Sequence, residues 1–215
     1  MPHIDLSDHG YHYDNPKQNC AHNYLLPAVL KLLEHQRQKR DLEPLRIFDL
    51  GCGNGSVAGK LTENGYIVTG VDVSEQGIEQ ARKAYPNLNL QLGSAYDNLA
   101  AIFGTFPVVI SLEVVEHLYY PKKFAACVFS ILEPGGTAII STPYNGYLKN
   151  LAIAIAGGFD RHATALWDHG HIKFWSMATL KKLLLDAGLA DITFYRVGRI
   201  APLAKSMIAV AHKSI

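Results

Sequence analysis

Hydrophobic positions in this chain change period several times. Over residues 21–40, Leu25, Leu26, Val29, Leu32 and Leu33 recur at three- and four-residue spacing, which predicts an amphipathic helix. From residue 45 onward, short apolar runs alternate with helical patterns. LRIFDL (45–50), YIVTGVD (66–72), LNLQLG (88–93), FPVVISL (106–112) and TAIIST (137–142) each predict a buried strand. Between them, VAGKLTEN predicts a helix ended by Gly65, and SEQGIEQARKAY one capped by Ser74 and closed by Pro86. PKKFAACVFSILEPGG predicts a third, with Pro121 in its first turn and Gly135–Gly136 at its end. SMATLKKLLLDAG (176–188) reads as the last helix, and DITFYRVG and KSMIAVAHK as two final strands. Residues 143 to about 173 follow neither period and read as irregular and aromatic.

Strand and helix in regular alternation imply an α/β fold with a doubly wound, mostly parallel sheet covered on both faces. Such sheets bind ligands beyond the carboxyl ends of their strands, near the switch in strand order. The length of 215 residues suits a single domain spanning 1–215. Within it, 1–40 is expected to form an N-terminal helix and lid, and 143–175 an acceptor-binding insertion.

The stretch DLGCGNGS (49–56) sits at the end of the first predicted strand, where that rule places a ligand. Gly51, Gly53 and Gly55 permit tight backbone geometry and close approach to a bound molecule. A dinucleotide fingerprint needs G-x-G-x-x-G; here the spacing is G-x-G-x-G and Ser56 holds the sixth position. That departure weighs against a nicotinamide or flavin cofactor. S-adenosylmethionine, which has no phosphate, fits better. Asp49 can help to receive its cationic tail. Asp72, with Val73 beside it, can accept hydrogen bonds from vicinal ribose hydroxyls. Asp72 alone serves either cofactor. Ser94 and Ala95 leave room for a flat base, and Leu112 reaches the same crevice.

Glu113, Glu116 and His117 stand at i, i+3 and i+4, one face if the segment is helical. They lie where an acceptor would meet the methyl donor. The imidazole can act as a general base, or the three can hold Mg²⁺ or another divalent cation. A polar cap on a helix start explains the same residues. WDHGHIKFW (167–175) brings His169 and His171, either of which can reach the acceptor as base or ligand, or simply pack. Tyr11 and Tyr13 in HGYHYDN (9–15) are candidate lid contacts.

Five motifs in order, IFDLGCGNG, GVDVSEQGIEQAR, ISLEVVEHL, LEPGGTAIISTP and HGHIKFWS, resemble class I S-adenosylmethionine-dependent methyltransferases. Within that superfamily the chain is most similar to the branch that includes the O-methyltransferases of ubiquinone biosynthesis. The resemblance covers roughly residues 45–188. It implies a Rossmann-like seven-stranded sheet with an antiparallel C-terminal hairpin, methylation of an acceptor oxygen, and metal coordination by the E-x-x-E-H run. Two rival readings stand beside it: an NAD-dependent oxidoreductase, and a non-catalytic module that binds S-adenosylmethionine.

Composition narrows the partners. Twenty basic and nineteen acidic residues give a net charge of +1, without the basic excess of a nucleic-acid binder. Cys20, Cys52 and Cys127 are widely spaced, which suits a reducing compartment and no disulfide framework. No apolar leader is visible in MPHIDLSDHGYHYDN, so a cytoplasmic enzyme is expected. LKNLAIAIAGGF (148–159) is too short to span a bilayer. It can touch a lipid surface or line a greasy pocket, and it favours a small hydrophobic or phenolic acceptor.

Overall fold

Apolar runs with no alternation need cover on both faces, and the central strands receive it. In the computed structural model, which describes residues 13, 21–163, 166 and 170–215, the sheet has seven strands in the order β3-β2-β1-β4-β5-β7-β6. These are β1 (Arg46–Leu50), β2 (Ile67–Asp72), β3 (Asn89–Leu92), β4 (Phe106–Leu112), β5 (Leu132–Pro143), β6 (Leu189–Val197) and β7 (Ser206–Lys213). The first five run parallel; β7 is antiparallel to both β5 and β6, which makes the expected C-terminal hairpin. Strand order reverses between β1 and β4, so the glycine turn after β1 lies at the topological switch.

The strand period of two divides the core between the faces. Ile47, Val108 and Ile110 pack with Leu25 and Leu33 of α1 (His22–Arg40), Leu61 of α2 (Ser56–Glu63) and Ile78 of α3 (Glu75–Ala84). Their neighbours Phe48 and Val109 point the other way. They join Leu99 of α4 (Leu99–Phe103), Phe124 and Val128 of α5 (Pro121–Ile131), and Leu180 and Leu184 of the last helix, Met177–Asp186. Ser74 caps α3 as expected, its side chain accepting a hydrogen bond from Gly77 N.

Three segments differ from the sequence reading. α4 has only five residues, too few to show a period. α5 ends at Ile131 and not at the Gly135–Gly136 pair, and β5 already begins at Leu132. Pro134 lacks an amide donor and disfavours helical geometry at Glu133, so the chain extends there. The stretch from 143, read as irregular, contains α6 (Tyr147–Ile155) and α7 (Phe159–Ala163). α6 is apolar on two sides, which erased the contrast between a buried and a solvated stripe. The helix Met177–Asp186 is therefore α8.

Gly55 precedes α2 at φ 76°, and a Cβ there would stand 2.8 Å from Leu90 Cδ1 and 2.9 Å from Ala81 Cβ. Its missing side chain lets α2 approach α3 and β3. Replacing Gly55 with alanine is expected to cost about 1–3 kcal/mol through backbone strain and overlap. Urea unfolding of the variant beside the parent protein measures that difference.

Candidate functional site

A cavity of about 1390 Å³ opens above the carboxyl ends of β1, β2 and β4. Its floor is the glycine loop. Gly51 N and Cys52 N both donate to Val71 O, at 2.8 and 3.0 Å, which folds the loop back onto β2. The Asp72 carboxylate then holds it from the side: Oδ2 accepts from Gly53 N at 2.9 Å and Oδ1 from Ser74 N at 2.8 Å. Burial raises the Asp72 pKa, and these backbone donors pull it back down. Each oxygen keeps a further lone pair for a ligand.

Asp49, in β1, is 2% exposed and lines the same wall, and its Oδ2 has no hydrogen-bond partner. Burial, and then the charge of Asp72, push its pKa up to about 7. Val73, Ser94, Ala95 and Leu112 also line the cavity. Gly51 and Gly53 do as well, at φ 89° and 53°, whereas Gly55 is turned into helix packing and does not. The phenol of Tyr13 lies where a Cβ on Gly53 would be. Its backbone is fixed to α3: Tyr13 N donates to Gln76 Oε1, and Tyr13 O accepts from Gln76 Nε2 and Gln80 Nε2. Tyr11 and His169 fall outside the described residues.

The Glu113–Glu116–His117 group does not share a helical face. Glu113 takes a left-handed backbone at φ 57°, and only a 3-10 turn, Val115–His117, follows. That kink breaks the helical register between the two carboxylates. Glu113 Oε1 accepts from Ser141 Oγ at 2.8 Å and Oε2 from Ser206 Oγ at 3.2 Å. Burial raises its pKa to about 7. Glu116 is 1% exposed, and neither carboxylate oxygen has a hydrogen-bond partner. Burial, reinforced by Glu113, raises its pKa well above the usual carboxylate range.

In place of Glu113, His171 joins Glu116 and His117: one donor atom from each lies within 4.8 Å of the other two. The segment 170–175 is strapped onto the 3-10 turn, which is how His171 arrives there. Ile172 N and Lys173 N donate to Glu116 O at 3.0 and 2.9 Å, and Trp175 Nε1 donates to Val115 O at 3.2 Å. His117 Nδ1 lies 3.3 Å from Gly170 O, and the two imidazole rings meet edge to face at 5.0 Å. Burial, and then His117 and His162, lower the His171 pKa to about 4, so its ring is neutral at physiological pH.

The sequence reading missed the opposite wall. It consists of Tyr24, Lys149, His162, Arg199, Lys205 and Ser206, drawn from separate segments with no local motif. Tyr24 OH lies 3.0 Å from Ser206 Oγ, which extends the Glu113 hydrogen-bond chain to α1. Phenylalanine at Trp175 keeps the packing but leaves Val115 O without its indole donor. W175F is expected to lose about 1 kcal/mol of stability, read from its denaturant midpoint.

The family described as "Methyltransferase domain" matches residues 20–193. A ubiquinone biosynthesis O-methyltransferase of Caulobacter sp. (strain K31) is 35% identical over 151 residues, covering 68% of this chain and 58% of that protein. One from Psychrobacter arcticus is 30% identical over 165 residues, covering 72% and 63%. The chain thus spans less than two thirds of those relatives' length. Among solved structures, magnesium protoporphyrin IX methyltransferase of Synechocystis PCC 6803 with bound S-adenosylhomocysteine aligns with a TM-score of 0.62 and 21% identity. That alignment covers 87% of this chain and 83% of that one.

Proposed function

Because this chain belongs to the methyltransferase domain family, we propose that its cavity binds S-adenosylmethionine and transfers the methyl group to an oxygen of a small hydrophobic or phenolic acceptor. The observation that carries this reading is Asp49: a buried carboxylate oxygen without a partner, beside the glycine loop at the topological switch. A donor with an ammonium and a sulfonium supplies the missing positive charge. The ribose hydroxyls then use the remaining lone pairs of Asp72. Ser94, Ala95, Val73 and Leu112 enclose the base, and Tyr13 closes over the loop.

The reaction is an in-line displacement. A lone pair on the acceptor oxygen forms the O–C bond, and the C–S pair returns to sulfur, leaving neutral S-adenosylhomocysteine. Alignment of oxygen, carbon and sulfur can contribute on the order of 7–11 kcal/mol. The acceptor proton goes to an imidazole. His171 is unprotonated at neutral pH and can receive it; His117, beside it, orients the ring or takes the proton itself. The names of the O-methyltransferase relatives support a phenolic ring as acceptor. The apolar cavity face of α6, formed by Ala152, Ile153 and Ala156, supports one with hydrophobic substituents. On its outer side Tyr147, Leu148, Leu151 and Ile155 are exposed, as is Phe159 at the start of α7, which supports peripheral contact of 148–159 with a lipid surface.

Glu116, His117 and His171 fit a divalent cation, because the two orphaned oxygens of Glu116 need positive charge and two imidazoles complete the donors. Two nitrogens and a carboxylate suit Zn²⁺, Mn²⁺ or Fe²⁺ better than Mg²⁺. When bound, such a cation lowers the pKa of an acceptor hydroxyl.

Two measurements test these assignments. The Asp49 pKa stands near 7, above its ordinary 3.8, so ionisation costs folded-state stability as pH rises through 7. A cationic donor binds the ionised form. Calorimetric affinity for S-adenosylmethionine should therefore rise with pH by up to about tenfold per unit, levelling above 7. D49N should bind weakly without that slope; an unchanged slope in D49N removes Asp49 from donor binding. For the cation, turnover after EDTA treatment should fall and return with Zn²⁺ or Mn²⁺ more than with Mg²⁺. Full turnover after chelation assigns the imidazoles as bases alone.

A further inference from the structure

The wall opposite the glycine loop carries a concentration of positive charge that methyl transfer itself does not require. Lys149 comes from α6, Arg199 from the turn after β6 and Lys205 from the residue just before β7, and all three line the cavity. Lys149 is half-buried. Its ammonium is aimed by two carbonyl oxygens, donating to Tyr144 O at 2.8 Å and Lys205 O at 3.5 Å. Lys205 Nζ stands over the Tyr24 ring, 5.1 Å from its centroid. Among the described residues, none of these three cations takes part in an ion pair. The nearby carboxylate, Glu113, spends its oxygens on Ser141 and Ser206.

We propose that Lys149 and Arg199, with Lys205 at their side, form a subsite for an oxyanion, carboxylate or phosphate, carried by the methyl acceptor. This deepens the methyl-transfer reading and rests on it. Two cations share one apolar-walled corner where the Glu113 carboxylate, hydrogen-bonded to two serines, offsets Lys149 only in part, and an anionic substituent relieves both their repulsion and their lost hydration. The strain is visible at Lys149, whose pKa is lowered by burial and then by the charge of Arg199. Burial and Lys149 likewise lower that of His162, at the same mouth. The cavity is therefore polarised: Asp49 and Asp72 at the donor end, cations at the acceptor end. A cationic donor and an anionic acceptor are sorted to opposite ends before either reaches the imidazoles.

Ligand-observed NMR titrations of benzoate, benzamide and phenyl phosphate test this, with and without S-adenosylhomocysteine. These probes carry no methylatable hydroxyl, so the readout is independent of turnover. Benzoate or phenyl phosphate should bind about tenfold or more tighter than neutral benzamide. The preference should shrink as salt is raised, and the tighter of the two anions names the group. R199M, an exposed position, should bring the anions to within about threefold of benzamide while benzamide itself is unchanged; K149M should do the same. Equal binding of all three probes by the parent protein overturns the subsite, as does a preference that survives both substitutions. If S-adenosylhomocysteine gives no calorimetric signal while the anion preference persists, the methyl-transfer reading fails and the subsite stands.

Discussion

The Asp72 carboxylate is the clasp of this fold. One oxygen holds Gly53 N and the other Ser74 N, so a single side chain joins the loop after β1 to the start of α3. Without it, two buried backbone donors would need other partners at the place where strand order reverses. The conformation it locks leaves Gly51 and Gly53 at positive φ, with Val114 and the Tyr13 phenol filling the space that side chains there would take. Asp49, one strand away, then stands in a pocket too dry and too close to a second carboxylate to ionise easily. Architecture and chemistry meet here: the group that closes the loop also makes the neighbouring carboxylate receptive to a cation.

Much of this was legible in the sequence, because strand runs and glycine spacing are local signals. The five parallel strands, the Ser74 cap and the placement of Asp49, Gly51, Gly53 and Asp72 around one crevice all follow from short windows of residues. What failed was any inference that assumed a regular backbone. Glu113, Glu116 and His117 have helical spacing but not helical geometry, because the chain turns through φ 57° at Glu113. Spacing reports neighbours only where dihedrals are uniform. Gly55 completes the glycine pattern on paper, yet its role is to admit Leu90 and Ala81. That is close helix–strand packing, the task a dinucleotide fingerprint gives to its last glycine, moved one position earlier.

Long-range pairings were out of reach for a different reason. His171 meets His117 because Trp175 and two backbone amides bind a 3-10 turn some sixty residues earlier in the chain. No periodicity encodes that strap. The basic wall is similar: Lys149, Arg199 and Lys205 belong to three elements and converge only when β7 pairs with β5 and carries its preceding loop to α6. α6 escaped notice because it answers two environments at once, Ala152 and Ile153 towards the cavity and Leu148 and Ile155 towards the outside.

That double-faced helix bears on how an acceptor enters. α6 carries an apolar outer surface, an apolar cavity-facing surface and a lysine near its start, and the same cavity is lined by His117 and His171. Under the proposed function, a hydrophobic acceptor moving along α6 from a lipid surface would stay partly shielded from water, which removes a desolvation cost that grows with every methylene. On the proposed reading the anionic substituent meets Lys149 while the apolar part still touches α6, so orientation is set by the order of contacts. Glu113, hydrogen-bonded to two serines between the basic wall and the Glu116 turn, keeps that wall from extending to the donor end. The cavity's charge gradient thus follows from where β4 stops and the chain kinks, the same local event that broke the expected helical face.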